Sequence, residues 1–206
     1  MRRDPETVAT ETVPAAGSAS PRNSLGGVTS DDGVYGIIPD AKDWTWVLER
    51  PCPECGLDTR SIAREEVAER LRVNAAQWPQ VLRRPGVTQR PDPATWSPLE
   101  YACHVRDVFR LYDQRLLLML TEHNPLYPNW DQDETAIQQR YSEQDPAAVA
   151  TELVVAGEQL ATRFAGMHDE QWKRPGRRSD GASFTIDTFS RYLLHDPVHH
   201  LHDVTR

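Results

Sequence analysis

Lysine is nearly missing from this 206-residue chain: Lys42 and Lys173 are the only two, and every other long cationic side chain is arginine. Acidic residues outnumber basic ones, 31 to 23, for a formal net charge of −8. A chain of that sign lacks the positive field that holds nucleic acid or anionic lipid, so neither is expected as a partner. Long apolar runs are also missing. No stretch approaches the ~18 uninterrupted apolar residues of a membrane span. Arg2 and Arg3 are not followed by the apolar run of a secretory signal. Three cysteines, few and odd in number, argue against a disulfide framework and for a reducing cytoplasm. Neither β-alternation nor an internal repeat stands out.

Large apolar residues are scarce over residues 1–42, which are rich in Ala, Ser, Thr, Gly, Pro and acidic residues. Such a segment cannot bury enough surface to offset its ordering entropy and reads as a disordered tail. Ordered structure is expected from Trp44-Thr45-Trp46-Val47-Leu48, as an extended arm over 43–61 that carries the turn Pro51-Cys52-Pro53-Glu54-Cys55-Gly56.

The remainder, 62–206, has helical spacing. Ile62, Val67, Leu71, Asn74, Ala75, Trp78 and Leu82 mark a first helix, with Pro79 disturbing its last turn. Ser97-Pro98-Leu99-Glu100 is a capping-box start for a second, running to about Thr121. Thr135 to Tyr141 reads as a short helix, and Asp145-Pro146 opens another that ends near Phe164. Residues 173–183 read as a loop, and Thr185 or Asp187 opens the last helix. The fold class is all-α: a four-helix bundle with crossover loops, in which sites form from side chains of facing helices.

Histidine supplies the chemistry. In His195-Asp196-Pro197-Val198-His199 two imidazoles lie four residues apart, which puts both on one helix face. His104 sits on the second helix with Tyr101, Val108 and Leu111. Three neutral nitrogens from two helices suit a borderline-soft divalent ion, zinc or nickel, with open positions. Partly exposed surface histidines would give the same spacing. Pro197 removes a helix hydrogen bond and can re-aim the rings. His200 points about 100° away from His199 and is the weaker ligand candidate, as is His202.

The runs Trp96-Ser97-Pro98-Leu99-Glu100-Tyr101-Ala102-Cys103-His104-Val105 and Tyr192-Leu193-Leu194-His195-Asp196-Pro197-Val198-His199-His200 resemble the DinB superfamily, four-helix metal-binding proteins related to thiol-dependent isomerases and transferases. The resemblance implies one divalent metal on His104, His195 and His199. It also implies hydrolysis or thiol transfer on a small-molecule substrate, because such an ion lowers the pKa of a bound water or thiol. The arginine-rich, lysine-poor composition resembles that of high-GC actinobacterial proteins, for which the thiol would be mycothiol. Glu100 and Asp196 are the acid–base candidates, although Glu100 also serves as a capping residue. Arg106, Arg110 and Arg191 could hold an anionic substrate. A non-catalytic stress-response or sensor module is the alternative, and a homodimer is the expected assembly. The Cys52-x-x-Cys55 turn stays open between a redox dithiol, half a zinc site completed by histidines or another chain, and a plain tight turn.

Overall fold

The computed structural model describes residues 43–206, so the tail expected over 1–42 lies outside the described residues. Four long helices dominate: α1 (Val67–Val81), α2 (Pro98–Thr121), α4 (Pro146–Ala165) and α5 (Ile186–Thr205), with a short α3 (Gln132–Gln138) between the second and third. Their starts follow from local chemistry. Ser97 Oγ accepts from the Glu100 N–H at 3.2 Å and the Glu100 carboxylate accepts from the Ser97 N–H at 2.8 Å, closing the box at the head of α2. Asp145 caps α4 ahead of Pro146, and Thr185 caps α5. These caps satisfy N–H groups that the first helical turn leaves unpaired.

α4 and α5 each pack on both α1 and α2. The shared core holds Trp78, Leu99, Phe109, Leu116, Leu153, Leu160, Phe189 and Leu193, all essentially inaccessible. Asn74 is the buried polar link between α1 and α5. Its Nδ2 donates to the Pro197 carbonyl at 2.8 Å and its Oδ1 accepts from the Trp78 indole at 3.2 Å. Asn74 thereby fixes the position of α5 at the residue that interrupts its hydrogen-bond ladder.

Three expectations need correction. The segment Trp44–Leu48 is a 3-10 helix, not an extended arm; Asp43 caps it by accepting from the Thr45 N–H. The first α-helix begins at Val67 rather than near Ile62, because Thr59–Ser61 and Arg64–Glu66 form separate 3-10 turns. The loop expected over 173–183 contains a hairpin. Strands β2 (Pro175–Arg178) and β3 (Ser183–Thr185) pair antiparallel around Gly181 at φ +102°, and β1 (Leu126–Tyr127) adds to β2 in parallel. The short helix expected over 135–141 lies at α3, followed by a 3-10 turn at Tyr141–Glu143. Among the described residues, no helix is long and apolar enough to cross a membrane.

Candidate metal centres

α5 carries two i,i+4 pairs of metal-ligating side chains, His195 with His199 and Asp196 with His200. One residue along a helix is about 100° of rotation, so the pairs occupy neighbouring faces. α2 meets one face and the segment around the cysteine turn meets the other. Two groups result, each with its donor atoms within 4.8 Å of one another: His104, Asp196 and His200, and Cys52, Cys55, His195 and His199.

In the first group His104 is fully buried on α2. Its Nε2 lies 3.3 and 3.4 Å from the two carboxylate oxygens of Asp196, and His200 Nε2 lies 3.8 Å from the same carboxylate. The His104 and His200 rings meet edge to face at 4.9 Å. Aromatic rings wall the group: Trp130 stacks on His104 at 5.3 Å, Trp96 stands at 5.3 Å on another side, and Tyr101 lies 4.9 Å from His200. Burial works against ionising Asp196, but the fields of His104 and His200 outweigh it and bring the carboxyl down to about 2. The side chain of Asp196 as a whole remains 33% exposed, although its Oδ1 is buried. His104 Nδ1 is buried with no hydrogen-bond partner among the described residues.

In the second group the turn Pro51–Gly56 brings both thiols to α5. Gly56 N–H donates to the Cys52 carbonyl and Cys52 N–H to the Leu57 carbonyl, each at 2.9 Å, with Gly56 at φ +75°. Cys52 Sγ lies 3.6 Å from His199 Nδ1. The opposite nitrogen of that ring, Nε2, faces Glu54 at 3.5 Å and Asp203 at 3.6 Å. His195 Nε2 is buried with no hydrogen-bond partner among the described residues. Trp44 covers both rings at 5.3 and 5.5 Å, and Trp46 stands 6.3 Å from His195. Burial, helped by His199, lowers His195 to about 4, so its imidazole is neutral at neutral pH and its lone pair is available. Burial, with Cys52 alongside, pushes the Cys55 thiol up to about 11.

The single group expected from His104, His195 and His199 is therefore divided. His104 meets Asp196 and His200, one residue further along α5 than the expected pair, and His195 and His199 meet the cysteines instead. His200, read from the sequence as a weaker ligand candidate than His195 and His199, is the residue that meets His104. Its signal was the Asp196-x-x-x-His200 spacing, which repeats that of the histidine pair. Asp203 adjoins both groups, through His199 Nε2 and through His200 Nδ1 at 3.5 Å.

Other candidates have structural partners. Glu100 is buried in its capping box and receives the Arg90 guanidinium at 2.9 Å. Arg106 pairs with Asp107 and Glu152, Arg110 with the same two, and Arg191 with Asp187. Cys103 is buried, pointing at the Gln144 side chain at 3.6 Å, and belongs to neither group. A cleft of about 590 Å³ beside Arg64, Trp172, Lys173 and Arg191 is lined by none of the donors.

A family model of the DinB superfamily matches residues 85–204, more than half of the chain. The chain belongs to the DinB superfamily. The solved structures include a similar DinB-like bundle, YfiT from Bacillus subtilis, described as a probable metal-dependent hydrolase with an unusual four-helix bundle topology. It superposes with a TM-score of 0.63 at 18% identity, covering 71% of this chain and 89% of that one. At that identity the likeness shows the fold. No curated protein matches the chain. The all-α, DinB-like four-helix bundle read from the motifs is thus the fold observed.

Both groups suit a metal ion on their own chemistry. The first offers two imidazoles and an ionised carboxylate, a set that leaves coordination positions open. The second offers two thiols and two imidazoles, one of them with a buried nitrogen that has no hydrogen-bond partner among the described residues.

Proposed function

We propose that this DinB-superfamily protein is a metal-dependent hydrolase whose reactive ion is held by His104, Asp196 and His200. The carrying observation is the convergence of these three donors within 4.8 Å, with the Asp196 side chain as a whole 33% exposed. Two histidines and one carboxylate are a ligand set of zinc hydrolases, with a further position left for water or substrate. A bound ion there would polarise a substrate oxygen and lower the pKa of bound water. The chain's own side chains do the rest. Asp196, ionised at neutral pH, offsets part of the ion's charge, which moves it from acid–base candidate to ligand. Asp203, 3.5 Å from His200 Nδ1, orients that imidazole. Trp96, Tyr101 and Trp130 keep water off three sides and offer flat apolar surface to a small-molecule substrate. The YfiT description supports the same reaction class.

The test is turnover of ester and amide substrates by metal-stripped protein reloaded with zinc or nickel, with and without mycothiol. Activity should return with metal, need no thiol, and fall at least ~100-fold in His104→Ala and Asp196→Asn. Turnover that requires mycothiol would replace hydrolysis with thiol transfer. A second reading, a non-catalytic metal-binding module, draws on the four-donor group, which leaves no position for substrate. It predicts metal uptake without turnover on any substrate.

A further inference from the structure

We propose that Cys52, Cys55, His195 and His199 form a closed, four-ligand zinc site that buckles the Trp44–Ile62 segment onto α5, separate from the ion held by His104, Asp196 and His200. The donor set is the first reason. Two thiolates and two imidazoles make a common structural zinc set, and all four donor atoms already lie within 4.8 Å. Zn–S of about 2.3 Å and Zn–N of about 2.0–2.1 Å at a tetrahedral angle put sulfur and nitrogen roughly 3.5–3.6 Å apart. The Cys52 Sγ to His199 Nδ1 separation is 3.6 Å.

The ring environments are the second reason. His195 is 5% exposed, and its buried Nε2 has no hydrogen-bond partner among the described residues. An imidazole nitrogen so placed loses its hydration without compensation unless something binds it. His199 has the arrangement of a metal-bound histidine: Nδ1 toward a thiol, Nε2 toward the carboxylates of Glu54 and Asp203. A carboxylate on the far nitrogen fixes the tautomer and strengthens the ligand. A plain turn explains neither ring, and a redox dithiol needs no imidazole on a buried helix face.

Charge closes the case. Each cysteine releases one proton on binding and the imidazoles bind neutral, so two thiolates cancel the 2+ of the ion. The occupied site carries no net charge, which suits its cover of Trp44 and Trp46. Thiolates also make this set the softer of the two, so zinc partitions to it in preference to harder divalent ions.

Metal content after dialysis against a mild chelator tests the assignment on the full chain. Wild type and His104→Ala should each keep one zinc per chain, and the double variant Cys52→Ser, Cys55→Ser should lose it with its helical circular dichroism intact. Cobalt-loaded wild type and His104→Ala should show a thiolate-to-cobalt charge-transfer band that the double variant lacks. A third readout needs no variant: an organomercurial added to native wild type should release one zinc as two thiols react. Zinc retained by the double variant, no thiolate band in cobalt-loaded wild type, or zinc-free wild type with Cys52 and Cys55 joined as a disulfide would each overturn the proposal. Absence of hydrolytic activity would leave it standing, because none of these readouts involves turnover.

Discussion

Glu100 sits one helical turn before His104 with its carboxylate buried, and what surrounds it assigns it to the scaffold. Burial opposes its charge, but the Arg90 guanidinium and the Ser97 N–H outweigh that and hold the carboxyl below the usual glutamate value. A carboxyl lowered on folding stabilises fully above its unfolded value and loses that contribution as pH falls toward the folded one. Glu100→Gln should therefore cost about 1–3 kcal/mol at about pH 7, and the cost should shrink toward about pH 3. Urea denaturation at the two pH values measures both, with zinc content as control. An equal cost at both would mean that ionised Glu100 contributes nothing. His195 and His199 were legible as chemistry-bearing residues from their spacing, and His104 and Asp196 from their helix positions and the family resemblance. Their division into two groups was not. A step of one residue along α5 changes the face by about 100°, and which face each partner meets depends on packing of elements far apart in the chain.

Between α1, α2 and α4, Gly157 marks a close approach that no propensity scale would flag. A Cβ there would stand 2.7 Å from the Cβ of Ala75 and 3.1 Å from the Phe109 ring. Gly157→Ala gains about 1 kcal/mol of helix propensity, but the Ala75 Cβ is anchored to its backbone and cannot swing aside. The expected net result is a loss of about 1–2 kcal/mol, visible as a lower denaturation midpoint at unchanged m-value. A gain in stability would show that α4 can move outward at little cost. At this scale the long helices were readable, because capping residues and a 3.6-residue period persist over many residues. The strands were not. β1, β2 and β3 span two to four residues each, too short for alternation to register, and β2 is anchored by pairing to a strand far away in sequence. The 3-10 segment at Trp44–Leu48 was equally hidden, since five residues carry no usable period.

Across the whole molecule, the apolar side chains that fill the core are, among the described residues, donors of neither group. Trp78, Leu99, Phe109, Leu116, Leu153, Leu160 and Phe189 pack without a ligand among them. The bundle is therefore expected to fold before it is metallated, unlike small zinc domains whose folding free energy is largely metal binding. Metal contributes as any ligand of the native state does, by RT ln(1 + [L]/Kd), about 4 kcal/mol at a thousand times Kd. For a chain of this size that corresponds to roughly 10 °C in Tm. Stripping with a strong chelator should lower Tm by that order and change the fluorescence of Trp44 and Trp46, which cover the cysteine-linked histidines. Far-ultraviolet circular dichroism at about 25 °C should stay unchanged. Loss of helicity on stripping would mean that the core needs its ions to form, and an unchanged Tm would mean that neither group holds one tightly. Trp96 and Trp130 flank the other group, so the fluorescence separates the two only in a variant that breaks that group. Restoring it with one zinc per chain in His104→Ala would place the stabilising ion at the cysteine turn and leave the other group for chemistry.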